Sequence, residues 1–226
     1  MDIECVHSAL EAVGLRSRGA FHPVQEDGVP LLADCGVVRT VVLAGAVGGS
    51  LWPTFSQSPE YLDGRRDPLD RWSFRVISQI AEALGAQAVF PFGGPPHHPF
   101  LRWARRAESL APSPLGLLIH PRHGLWHSYR GALLFREALQ LPAEAEEESP
   151  CLSCSEQPCL SACPVGAFNG TTYDVEACTA YLKANFDACA QAGCFARSAC
   201  PVPVSTDYPE AQRRFHLRAF LNSRRL

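Results

Sequence analysis

Eight of the ten cysteines in this 226-residue sequence lie between Cys151 and Cys200, while Cys5 and Cys35 stand far from them. Such clustering requires a local cause. In a reducing compartment thiols stay unpaired, so a dense group of them indicates a metal or cluster site before it indicates disulfides. We therefore expect metal-binding chemistry in the last third of the chain.

The first cysteine run has the spacing C-x2-C-x4-C-x3-C-P and extends from Cys151 to Pro164. Bacterial ferredoxins with two clusters use C-x2-C-x2-C-x3-C-P, in which three thiolates bind one cubane and the fourth binds the other. A step of two residues directs successive sulfurs to neighbouring irons, and the proline ends the loop. Residues 155–158 add two positions to the middle step, which indicates a looser loop around the same sulfur positions.

With the four remaining thiols of this region the total is eight, which is the number that two 4Fe-4S clusters need. By the ferredoxin crossover, we expect the first cluster to bind Cys151, Cys154, Cys159 and Cys200. The second cluster is then expected to bind Cys163, Cys178, Cys189 and Cys194.

Two other uses of the thiols stay open. Eight thiolates can also hold two zinc ions, although only Cys151 and Cys154 have the spacing of a zinc knuckle. The second alternative is a single cluster with spare thiols, since the steps around Cys189 and Cys194 are irregular.

A second concentration of reactive side chains lies in residues 116–131, between two apolar runs. Its candidate cofactor-binding residues are His120, Arg122, Trp126 and Arg130. Aromatic and basic groups suit a pocket for a redox cofactor or substrate near an electron carrier. Each also has an ordinary structural role, since His120 can satisfy a backbone carbonyl and Trp126 can belong to the core. No catalytic residue is assigned.

Alternating strand and helix signals predict an α+β fold for the first 140 residues. Strands are expected within residues 37–47, 88–92, 115–119 and 132–135. One helix is expected to begin at Ser73, to end at Gly85, and to bury a stripe of Phe74, Ile77, Ile80, Ala81 and Leu84. Further helices are expected at residues 100–110 and 209–221, the latter with Phe215, Ala219 and Phe220 on its apolar side.

An acidic segment flanked by prolines, residues 142–150, predicts a solvated linker. We therefore expect an α+β cofactor- or substrate-binding domain over residues 1–141. A small iron-sulfur domain with a C-terminal helix is expected over residues 151–226.

Composition limits the partners and the location. The net charge is −3 and the basic residues are spread out, so we expect no nucleic-acid partner. No apolar run approaches the roughly 18 residues of a membrane span, and the N-terminus is acidic where a signal peptide is basic. A cytoplasmic location without membrane contact is the expectation.

The chain resembles two related families. The pattern Gly116-x2-Ile119-His-Pro-Arg-x-Gly124-x-Trp126-x3-Arg130-Gly131, with Asp67-Pro-Leu-Asp70 upstream, resembles the cobalamin-processing decyanase and dealkylase proteins. Residues 93–101, the acidic segment and the region from Cys151 to Pro201 resemble epoxyqueuosine reductase and, more distantly, reductive dehalogenases. Together the likenesses cover most of residues 37–201.

The resemblance implies a nitroreductase-like α+β domain that binds cobalamin base-off. It also implies a small C-terminal ferredoxin-like domain whose two clusters feed electrons to cobalt. By the same resemblance, Arg130 matches an arginine that contacts glutathione in the processing proteins.

Three interpretations remain open at this point. The first is a cluster-containing reductase that acts on or through a corrinoid or other small molecule, with a redox partner protein as electron donor. The second is a ferredoxin-like electron-transfer protein without catalysis of its own. The third is a structural or interaction protein held by zinc.

Overall fold

The computed structural model describes residues 2–143, 147–202 and 208–224. The chain has a mixed α+β fold and divides into two compact units. The first unit comprises Met1–Ser109 and His127–Glu146, and the second comprises Leu110–Trp126 and Glu147–Leu226. Residues 110–126, expected in the first domain, are thus grouped with the cysteines. The predicted linker stays a prediction, because its central residues 144–146 lie outside the described residues.

The first unit contains a four-stranded antiparallel sheet with the strand order β1-β2-β6-β3. Its strands are β1 (Arg16–Phe21), β2 (Thr40–Val47), β3 (Gln87–Val89) and β6 (His127–Phe135). All eight residues of β2 are buried, which accounts for its continuous apolar sequence. The expected strands at residues 37–47 and 132–135 are confirmed as β2 and the buried end of β6.

Among the residues that the structure describes, the first unit has five α-helices and one short 3-10 helix, Gln25–Asp27. The α-helices are α1 (Ile3–Glu11), α2 (Trp52–Phe55), α3 (Pro59–Leu62), α4 (Pro68–Ala83) and α5 (Phe100–Ala107). Helix α4 contacts β3 and β6, and α5 contacts β1 and β2.

The start of α4 differs from the prediction. The helix begins at Pro68, since a proline suits the first turn of a helix, whose N–H groups have no intrahelical partner. Ser73 is therefore an interior residue whose hydroxyl donates to the carbonyl of Leu69. The predicted stripe is wrong at Phe74, which is 57% exposed, and the end at Gly85 is confirmed, with φ of +64°.

Helix α5 ends earlier than the expected residue 110. Glu108 has an extended backbone and its carboxylate accepts two hydrogen bonds from the buried Arg18 guanidinium, at 2.9 and 2.7 Å. Glu108 is thus paired with a residue of β1 and lies outside the helix.

In the described part of the second unit there are one hairpin and five helices. The hairpin pairs β4 (Ala111–Pro112) with β5 (Leu118–Ile119), so the expected strand at 115–119 is reduced to its last two residues. The helices are α6 (Pro158–Ser161), α7 (Val175–Ala184), α8 (Phe186–Ala192), α9 (Phe195–Ser198) and α10 (Glu210–Asn222). In α10 the expected apolar side is wrong at Ala219, which is exposed.

Within the described ranges, no helix combines the length and the apolar character that crossing a membrane requires.

Candidate metal centre and ligand-binding residues

The second unit has a small apolar core against which many of the thiols pack. Its buried residues are Leu115, Ile119, Leu125 and Ala196. Five cysteines contact it, namely Cys151, Cys159, Cys163, Cys194 and Cys200. The hairpin of β4 and β5 supplies half of this core, so the loop and the cysteines are parts of one structure.

Four cysteines from the two ends of the cysteine region line one recess in this unit. They are Cys151, Cys154, Cys159 and Cys200, which we call the first set. Most of the other lining residues are apolar, among them Ile119, Leu125 and Val202. The chain between Cys159 and Cys200 folds into α6–α9 and returns the last cysteine to the first three.

The thiols of the first set influence one another electrostatically. Burial raises the pKa of the Cys151 thiol, a hydrogen bond with Ser149 offsets part of that rise, and Cys200 and Cys154 raise the pKa further. Burial also raises the pKa of Cys159, and the other three thiols of the set act in the same direction. This mutual influence decays with distance, so the four sulfurs are neighbours.

The remaining four clustered cysteines form a second set of neighbours, Cys163, Cys178, Cys189 and Cys194. Burial raises the pKa of Cys189 to about 11, and the other three thiols raise it further. Burial raises the pKa of Cys194 as well; a hydrogen bond from the Arg197 backbone offsets part of this, and Cys178 and Cys163 add to it. The two sets have the same members as the two predicted ligand sets.

Two further features lie at the second set, one at Cys194 and one at Tyr173. Cys194 has φ of +76°, a backbone conformation that is strained for a residue with a side chain and that often occurs at functional sites. The hydroxyl of Tyr173 is hydrogen-bonded to Cys178, and its ring stacks on Phe168 with the ring centroids 4.5 Å apart.

The raised pKa values mean that four of these thiols keep their protons in the metal-free chain near neutral pH, namely Cys151, Cys159, Cys189 and Cys194. Thiolates are the form that binds metal, so loading the site releases protons and becomes more favourable as pH rises.

Each set contains four thiols, a donor set that fits a 4Fe-4S cluster and that also fits a tetrahedral zinc ion. In the part of the chain that the structure describes, no three His, Cys, Asp or Glu side chains form a group that could hold a metal ion.

Two of the predicted cofactor-binding residues, His120 and Arg122, lie in the loop of the second unit and have structural partners there or in the following segment. The buried His120 accepts hydrogen bonds at Nδ1 from the backbone N–H groups of Arg122 and His123, at 3.0 and 3.2 Å. Its ring therefore holds the turn between β5 and Gly124. The Arg122 side chain is 72% exposed and pairs with Glu147 at 3.1 Å.

Trp126 is buried, and its ring packs against the guanidinium of Arg197. The Arg197 guanidinium carbon lies 4.2 Å from the centroid of the Trp126 ring, and Tyr208 packs against the same ring at 4.7 Å. Arg197 also donates to the carbonyl of Leu125. Burial lowers the pKa of Arg197 and raises that of Tyr208 to about 12. This contact joins the loop to the helical part of the second unit.

Arg130, the fourth predicted residue, belongs to the first unit. Its guanidinium donates to the hydroxyl of Ser73 at 3.0 Å and forms an ion pair with Asp70, and it lies 5.4 Å from the ring centroid of Phe92. The structure thus brings together Asp70 and Arg130, both from the cobalamin-processing pattern. It places Arg130 and the other three predicted residues in different units.

The first unit also has an open cleft of about 530 Å³, which was not predicted from the sequence. Its polar lining residues are His98, Arg102 and Tyr129. Burial lowers the pKa of His98, which stacks on Trp103. The only sequence signal was the pair of histidines in the proline-rich segment that precedes α5.

Tyr129 connects the cleft to a buried ion pair. Its hydroxyl donates to Glu108 at 2.5 Å, and the Arg18 guanidinium lies 5.1 Å from the centroid of its ring. The cleft therefore combines apolar walls with a few fixed polar groups, the composition of a small-molecule site.

No family model matches this sequence. No curated protein matches it either.

Solved structures, however, do match. The chain is similar in structure to members of two families. An epoxyqueuosine reductase in complex with an epoxyqueuosine-modified tRNA-Tyr stem loop has 12% identity and a TM-score of 0.48, over 94% of this chain and 68% of that one. The Streptococcus thermophilus epoxyqueuosine reductase has 14% identity and a TM-score of 0.49, over 92% and 67%.

The other family is represented by the C. elegans B12-trafficking protein CblC, a homologue of human MMACHC. It has 14% identity and a TM-score of 0.48, over 99% of this chain and 97% of that one. These are the families that the loop and cysteine motifs resemble. The chain spans about two thirds of the length of the epoxyqueuosine reductases.

Proposed function

We propose that the second unit binds two 4Fe-4S clusters and that the chain uses them to transfer single electrons. One observation carries the proposal. Eight thiols of one compact unit divide into two sets of four neighbours, and each set joins cysteines in the crossed manner that two-cluster ferredoxins use.

The first set would hold one cluster and the second set the other. When bound, each cluster supplies a centre that gains and loses one electron at a time. The chain contributes eight thiolates and apolar walls that limit the access of water, and these walls influence the reduction potential. In this proposal the second unit contains the predicted ferredoxin-like domain of residues 151–226.

We further propose that the first unit, with a nitroreductase-like α+β fold, holds the electron acceptor. The acceptor is a corrinoid such as cobalamin or another small molecule. The cleft beside Tyr129 and the Arg130 pair with Asp70 support a ligand site in this unit. Each transfer oxidises one cluster by one electron and reduces the acceptor by one electron, and a redox partner protein restores the cluster.

The cluster proposal is tested by iron and acid-labile sulfide analysis of protein purified without oxygen. We expect brown protein with about eight iron and eight sulfide per chain, the content of two cubanes. Cys154→Ala should lose about half of both, while Cys35→Ala, an exposed cysteine of the first unit, should lose none. Colourless protein that contains zinc and no sulfide contradicts the proposal.

The acceptor proposal has its own test. Cobalamin is titrated into cluster-loaded protein, and a shift of its spectrum to the base-off form is expected. Brown protein that leaves the spectrum unchanged at saturating cobalamin contradicts the corrinoid part. The clusters would then serve a different acceptor, or the chain would be an electron carrier of the ferredoxin kind.

A further inference from the structure

Ser113 places a buried hydroxyl in the wall of the recess that the first set of cysteines lines. The residue is 9% exposed. Among the described residues, its Oγ atom has no hydrogen-bond partner. Buried hydroxyls are nearly always hydrogen-bonded, because losing water without a replacement is unfavourable. This position therefore indicates an acceptor that is bound in the recess.

The backbone at Ser113 is fixed. Its N–H donates to the carbonyl of Leu117 at 2.9 Å, and its carbonyl accepts from the N–H of Gly116 at 3.0 Å. Gly116 has φ of +73°, which a glycine adopts without strain. The hairpin thus fixes the Ser113 backbone at the wall of the recess before any ligand binds.

Apart from the thiols, the side chains that line the recess offer few hydrogen-bond acceptors. Ile119, Leu125 and Val202 contribute apolar side chains, and Gln157 is exposed. The first set of cysteines lines the same recess, so we take the acceptor to be sulfur, either that of a cysteine ligand or that of a sulfide in the cluster.

We propose that Ser113 donates a hydrogen bond to a sulfur of the cluster held by the first set and so raises the reduction potential of that cluster. The inference rests on the proposed function. Reduction adds one electron, which increases the negative charge on the sulfurs and strengthens the bond in the reduced state. The hydroxyl keeps its proton, and no covalent bond forms or breaks.

The test is an EPR-monitored redox titration of anaerobically loaded protein. In Ser113→Ala, the ratio of reduced to oxidised cluster at a fixed potential should fall three- to tenfold for one cluster only, where tenfold equals about 59 mV for one electron. Ser113→Thr keeps the hydroxyl and should retain the wild-type potential. Ser153→Ala, which removes an exposed hydroxyl of the same unit, should change neither cluster.

The possible failures are distinguishable. A brown Ser113→Ala protein with full iron content and two unchanged potentials overturns this inference and leaves the clusters in place. An equal fall of both potentials, or a Ser113→Thr protein that behaves like Ser113→Ala, also overturns it. Colourless wild-type protein overturns both this inference and the proposed function. Metal-free Ser113→Ala should unfold at or above the wild-type temperature, because the hydroxyl has no partner to lose among the described residues and its burial without one is unfavourable.

Discussion

At the residue scale, Tyr173 offers a hydrogen bond to the second set of thiols. Burial and the bond to Cys178 both raise the pKa of Tyr173, so its hydroxyl keeps its proton and remains a donor. Tyr173→Phe should therefore lower the reduction potential of the second cluster, by up to about 59 mV for a tenfold effect. In the same redox titration the reduction potential of the first cluster should not change. A shift of both clusters would show a general disturbance of the second unit instead.

Arg130 is the residue through which binding in the first unit is best tested. Arg130→Ala removes a guanidinium held by Ser73 and Asp70 and should weaken the binding of cobalamin or another ligand about tenfold, while iron content stays unchanged. Spectral titration and iron analysis of one preparation measure both. Arg136→Ala, which breaks an exposed ion pair with Asp34 in the same unit, should change neither. Equal loss of ligand binding and iron would make Arg130 a structural residue.

The members of the two cysteine sets could be predicted from their spacing. In the ferredoxin pattern, the cysteine that precedes a proline, here Cys163 or Cys200, binds the cluster that the other cysteine run holds. That they bind clusters stays a prediction. The partners of the loop residues could not be predicted. Arg197 and Tyr208 meet Trp126 only after the helices of the second unit have packed, and nothing in the local sequence marks them.

At the element scale, a salt bridge joins α3 to α4. Arg75 donates to the two carboxylate oxygens of Glu60 at 2.6 and 3.0 Å, and this lowers the pKa of Glu60 from 4.5 to about 2. A carboxyl group with a lowered pKa stabilises the fold above its ordinary pKa and loses that contribution as pH falls.

Stability should therefore decrease between pH 4.5 and about 2 more steeply in the wild-type protein than in Glu60→Gln. Urea unfolding of the metal-free chain across this range measures the difference. Glu82→Gln, which changes an exposed carboxylate of α4, should keep the wild-type pH dependence. Identical slopes for wild type and Glu60→Gln would contradict the role given to this pair.

Gly19 determines how closely α5 approaches β1. It has φ of +71°, and a Cβ atom there would lie 2.0 Å from the carbonyl oxygen of Ala107. Gly19→Ala should therefore destabilise the chain by about 2–4 kcal/mol, through backbone strain and displacement of the helix. Gly64, with φ of +68° and no atom within 4 Å of its Cβ position, is the matched control and should cost only about 1 kcal/mol. Chemical denaturation compares the two, and equal losses would contradict the packing argument.

Elements with a strong apolar pattern could be predicted from sequence, and those set by tertiary partners could not. The buried run of β2 and the end of α4 at Gly85 follow from local chemistry. The start of α4 was predicted at Ser73 because serine caps helices, whereas the actual start at Pro68 follows a left-handed Asp67. Glu108, which follows the last residue of α5, is paired with Arg18, and the two residues lie 90 positions apart in sequence.

At the scale of the whole molecule, the loop of residues 110–126 belongs to the unit that contains the cysteines. Leu115, Ile119 and Leu125 form a core with Ala196, and several cysteines pack on it. Sequence position alone indicated the opposite, since the loop lies between elements of the first unit. Long-range packing determines that this hairpin belongs to the second unit, although its neighbours in sequence belong to the first. A single sequence does not reveal such packing.

The central claim is that eight thiols hold two iron cubanes in crossed sets. Its most direct test is the anaerobic iron content of two double variants. If Cys151 and Cys200 bind the same cluster, Cys151→Ala with Cys200→Ala should retain about four iron per chain in one intact cluster. Cys151→Ala with Cys163→Ala removes one ligand from each set and should retain almost none. The reverse order, or equal iron in both variants, would contradict the crossed arrangement.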